Sequence, residues 1–139
     1  MDIVAKCVAE LGVQSAIEEK IDLLYDRLKE EQESGGAQGL NALLPTISIF
    51  INYASTRPKL TSALDWLRDT RGIESRDDAM WTLATLTLRQ VVETGLAKHA
   101  EDAEKVTAWT EMRDAIAATV DAIASNSPAP VRDSASVGA

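Results

Sequence analysis

An all-α fold is what this 139-residue chain predicts, and three observations carry it. Its apolar residues recur at spacings of three and four. No stretch alternates in the manner of a half-buried strand. Glycines, prolines and capping residues fall at the joints between the periodic stretches. The expected architecture is a compact bundle of about five helices over residues 1–124, with a disordered tail over 125–139.

The elements follow in chain order. Residues 3–11 place Val4, Val8 and Leu11 on one stripe with Cys7 beside them, until Gly12 weakens the helix. Ser15 then opens "SAIE", a capping-box pattern in which Glu18 returns a hydrogen bond to the cap residue. Ile17, Ile21, Leu24 and Leu28 make a regular seam, and Glu18, Glu19, Asp22, Asp26, Lys29 and Glu30 make the wet side. "ESGGAQG" (33–39) ends this helix as a flexible loop.

"LLPTISIFINYA" (43–54) is uncharged and rich in β-formers, yet Leu43, Ile47, Phe50, Ile51 and Ala54 fit one helical face, with Ser48, Asn52 and Ser55 opposite. Asn41 is the expected N-cap, with Pro45 in the first turn. Pro58 suits the N1 position of the next helix, where Leu60, Leu64 and Leu67 form the stripe and Gly72 the C-terminal stop. Ser75 caps a helix over 76–94 that is apolar on most sides, through Met80, Leu83, Ala84, Thr87 and Val91 and again through Trp81, Leu88 and Val92. Such a helix belongs at the centre of the core. Gly95 is expected to break it. A last, alanine-rich helix over 101–124 carries Val106, Trp109, Ile116, Val120 and Ile123.

Charge narrows the function classes. The net charge is −8, with four Lys/Arg against nine Asp/Glu in residues 1–33 and two against six in residues 101–124. Both nucleic acid and anionic lipid call for a cationic footprint, so neither is an expected partner. The uncharged run is too short to span a bilayer. "MDIVAKCVAELG" has no basic region ahead of an apolar core, so it does not read as a signal peptide. One cysteine fits a reducing compartment, and a cytoplasmic location is expected.

Chemistry is constrained by a single histidine, His99. One histidine cannot supply a di-iron bundle site or a multi-histidine zinc site, and no nucleophile elbow accompanies it. Its expected state is an exposed, solvated side chain near a helix end. "GGAQG" lacks the Lys-Ser/Thr of a phosphate-binding loop. Adjacent acids such as Glu30/Glu31 and Asp77/Asp78 diverge by about 100° on a helix, so they do not converge as acid–base partners. No catalytic, cofactor or metal residue is expected.

Parts of the chain resemble two known kinds of domain. An acidic helical chain with one histidine resembles histidine phosphotransfer domains, which would imply a phosphoacceptor at His99. That family carries a lysine three residues after its histidine, whereas "KHAEDAEK" places Asp102 there, beside Glu101, and carboxylates repel a phosphohistidine. The segment "LTSALDWLRDTRGIESRDDAMWTLATL" resembles a helix-turn-helix, but Asp77 and Asp78 occupy the turn that would approach phosphates.

The expectation is therefore a non-enzymatic protein-interaction module, a small acidic adaptor, inhibitor or regulatory protein working through helical surfaces. Ile47, Phe50, Ile51, Trp66, Trp81, Leu88 and Trp109 are its candidate interaction surface, tryptophan being common both in cores and at binding hot spots. Glu18, Glu19, Asp22, Asp26, Glu30, Glu101, Glu104 and Glu111 form a candidate acidic face. That face would let an inhibitor or immunity-type protein dock on the basic surface of a nucleic-acid-handling protein. The expected partners are another protein and a second copy of the chain, a symmetric dimer being the commonest oligomer.

Overall fold

Residues 2–34 and 40–125 are described by the computed structural model, and all their regular structure is helical. The helices are α1 (Ile3–Leu11), α2 (Gln14–Glu19), α3 (Ile21–Glu33), α4 (Leu40–Ala54), α5 (Arg57–Arg71), α6 (Arg76–Lys98) and α7 (Ala103–Ser125). Seven elements replace the expected five or so. The proposed tail lies outside the described residues apart from Ser125, which is the last residue of α7, and so does most of the loop at 33–39.

The extra elements have local causes. Asp2 caps α1 by accepting from the Val4 N–H at 3.1 Å, and Gly12 closes it at φ 69°. That left-handed geometry suits a residue without Cβ. The chain re-enters helix through Val13, which is fully buried, so Ser15 sits inside the first turn of α2 and the expected capping box does not form. At Lys20 the backbone relaxes to φ −104°, ψ 15°, which separates α2 from α3. The Lys20 N–H still donates to the Ala16 carbonyl and the Leu24 N–H to the Lys20 carbonyl. The seam of Ile17, Ile21, Leu24 and Leu28 therefore runs on, buried, across the joint.

Helix α4 starts at Leu40, earlier than expected, so Asn41 is inside it and Pro45 falls in the second turn. Pro45 has no N–H to offer the Asn41 carbonyl. Both residues are exposed, so water can satisfy that acceptor. In α5 the cap is Thr56, which accepts from the Lys59 N–H, and Pro58 is the second residue. Gly72 at φ 69° and Ser75, accepting from the Asp78 N–H, turn the chain from α5 into α6.

As its all-round apolar character implies, α6 is the hub and packs against every other helix. Thr82 and Thr85 are buried in it, their hydroxyls donating to the Asp78 and Trp81 carbonyls one turn back. Gly95 does not break this helix. A Cβ there would lie 2.2 Å from Trp109 Cε2, so the missing side chain is what lets the α7 indole lie against the α6 backbone. The buried residues join in one core cluster drawing on all seven helices. Each fully buried Leu, Ile or Val in it contributes about 1.5–3 kcal/mol of transfer free energy.

Candidate interaction face

The uncharged helix α4 divides its large apolar residues between two faces. Leu43, Ile47 and Ile51 are fully buried, and Phe50 nearly so. Ile49 and Tyr53, one turn apart, are 71 % and 73 % exposed, and Leu23 on neighbouring α3 is 53 % exposed. These three, with Leu24, Phe50 and Thr46, line a hollow of about 490 Å³ between α3 and α4. Its remaining lining residues are Lys20 and Arg27. Stability does not require large apolar groups in water, and such a patch with a polar rim is the usual sign of a surface used for contact.

Most of the sequence-based interaction surface is core instead. Ile47, Ile51, Leu88 and Trp109 are fully buried, and Phe50 is 6 % exposed, contributing only to the floor of the hollow. Trp66 is partly buried against the core, and Trp81 is 41 % exposed on α6, outside the hollow. The residues the sequence reading missed are Leu23, Ile49 and Tyr53. Their signal was available: each is a large apolar side chain that falls off the seam of its own helix.

The acidic residues also divide. Asp26, Glu30 and Glu104 line a second hollow between α3 and α7, joined by Glu33 but accompanied by Lys29 and Lys105. Lys29 pairs with Glu33 at 2.7 Å, and the Lys105 ammonium stands 5.2 Å from the Tyr25 ring centroid. Glu18, Glu19, Glu101 and Glu111 are exposed outside this hollow. Asp22 serves a structural purpose, as the partner of His99.

His99 is not the exposed side chain that its place near a helix end suggests. It is buried rather than solvated, one of its nitrogens 2.7 Å from Asp22 Oδ1 and the other 3.0 Å from Trp109 Nε1. An indole N–H only donates, so Nδ1 must be the acceptor and Nε2 carries the proton toward Asp22. The bond from His99 holds the Asp22 carboxyl below the usual carboxylate range. Tyr25 packs edge-on to the imidazole and tilted to the indole. Both ring nitrogens are committed and the ring is shielded, an arrangement that ties α3, α6 and α7 together and suits no phosphoryl acceptor. Burial likewise pushes the Cys7 thiol up to about 12, which leaves it without nucleophilic thiolate.

Among the described residues no group of His, Cys, Asp and Glu could hold a metal ion, and no helix is long and apolar enough to cross a membrane. No family model, curated protein or solved structure matches the chain.

Proposed function

We propose that this protein is a non-enzymatic interaction module that binds another protein through the α3–α4 face. The observation that carries the reading is the cluster of Leu23, Ile49 and Tyr53, three large apolar side chains more than half exposed around one hollow. Contact through that face would remove them from water, at about 25 cal/mol per Å² of apolar surface. The titratable groups nearest to a reactive constellation, His99 and Cys7, are both spoken for by packing.

The reading is tested by placing a photo-crosslinking amino acid at Ile49 and, as a control, at Glu111 on α7, in cells that express the chain. A discrete adduct from position 49 that is missing from position 111 supports it. Equal, diffuse crosslinking from both positions refutes it.

The acidic-face reading has one observation in its favour, the meeting of Asp26, Glu30, Glu33 and Glu104 at the α3–α7 hollow. Lys29 and Lys105 offset half of that charge in place, so it ranks second.

A further inference from the structure

We propose that the outer face of α4 receives an acidic amphipathic helix of another protein, one whose apolar stripe is flanked on both sides by carboxylates. The inference rests on the interaction reading above and adds the chemistry of the occupant.

Residues on a helix are separated by 100°, which places Ile49 and Tyr53 on a crest along α4. Thr46 and Phe50 descend from it toward the α3 hollow. On the other side Asn52, Ser55 and Thr56 descend into a different hollow, of about 460 Å³, bounded by α5 and by Arg76 at the start of α6. The apolar crest is therefore flanked by a depression on each side. Lys20 and Arg27 line the first, and Arg57 and Arg76 line the second. Neither lining contains a carboxylate. Among the described residues, none of these four cations has a carboxylate within ion-pairing distance.

On a chain of net charge −8, four unpaired cations bracketing the most exposed apolar residues amount to a local inversion of charge. That inversion selects among occupants. A second copy docking through the same face would set the four cations against their own images, since a two-fold contact is self-complementary. An anionic membrane would attract these cations but meet the repulsion of the rest of the molecule. An amphipathic helix seats its i, i+3, i+4 and i+7 residues on such a face. Lys20 and Arg27 are seven residues apart, about 10 Å along the wall, which matches carboxylates two turns apart on a partner.

The test uses the full chain and three labelled helical peptides of about 18 residues, long enough for five turns. One carries a leucine stripe flanked by glutamates, one the same stripe flanked by lysines, and one the scrambled glutamate sequence. Fluorescence anisotropy is measured at low and high salt. The glutamate-flanked peptide should bind roughly tenfold or more tightly than the lysine-flanked one at low salt, with the advantage shrinking at high salt. Lys20→Gln with Arg27→Gln should remove about half of the preference, Arg57 and Arg76 being left in place, and the Lys20→Glu, Arg27→Glu pair should abolish it. The circular dichroism and melting of each variant establish that it remains folded.

Binding that needs Ile49 and Tyr53 but ignores flank charge would overturn the acidic occupant and leave the interaction face standing. Failure of all three peptides, stronger uptake by phosphatidylserine vesicles, or a dimer in sedimentation equilibrium that Ile49→Glu dissociates would each overturn the proposal.

Discussion

Replacing Gly95 by alanine should destabilise this protein, in opposition to the rule for helix interiors. Gly95 lies within α6, where alanine is normally favoured over glycine by about 1 kcal/mol. Here the added Cβ would stand 2.2 Å from Trp109 Cε2, 2.4 Å from Cζ2 and 2.7 Å from Nε1. Carbon atoms rest at about 3.5–4.0 Å, so the indole would have to withdraw by more than about 1 Å. It has little room, since Trp109 is fully buried and its N–H is held by His99 Nδ1 at 3.0 Å. Overpacking costs about 1–3 kcal/mol and the lost hydrogen bond about 1 kcal/mol more. After the propensity gain, a net loss of about 1–3 kcal/mol remains. Urea unfolding followed by circular dichroism measures it. The same substitution in a Trp109→Leu background should cost less, because the clashing ring is gone. A Gly95→Ala protein as stable as its parent, or more so, would show that the indole can withdraw without cost.

Other expectations are as specific. Trp109→Phe keeps most of the ring but leaves His99 Nδ1 without its donor, which should cost about 1–3 kcal/mol in the same unfolding assay. Asp22, whose pKa is lowered by the bond from His99, contributes stability that is full above the ordinary carboxylate pKa of about 3.9 and is lost as pH falls through the depressed folded value. Asp22→Asn removes that titration, so melting temperatures of the parent and variant should converge as the pH is lowered below about 4. Cys7, with its thiol raised to about 12 and buried, should resist a thiol reagent in the folded protein and react fully in urea. Ile47→Ala and Ile51→Ala should each cost about 2–5 kcal/mol, whereas Ile49→Ala should stay within about 0.5 kcal/mol.

Where periodicity was strong, the fold was legible. The Ile17–Leu28 seam and the all-round apolar character of 76–94 each correspond to buried faces of the structure. Local rules misled where tertiary packing outweighed them. Ser15 and Glu18 spell a capping box, but burial of Val13 starts the helix earlier. Gly95 reads as a breaker, but its lack of a side chain serves contact with Trp109, fourteen residues away and on another helix. The same limit explains His99, since nothing local announces partners on α3 and α7. Position on or off the stripe separates core from surface in α3 and α4: Leu24, Ile47 and Ile51, on it, are buried, whereas Leu23 and Ile49, off it, are exposed.

We propose that the apolar crest of α4 serves a partner and not the fold. The partner identified by crosslinking from position 49 should no longer co-purify with an Ile49→Ser, Tyr53→Ser variant, which carries no crosslinker and whose urea midpoint equals that of its parent. Undiminished co-purification with that folded variant would mean that the crest is not the docking surface.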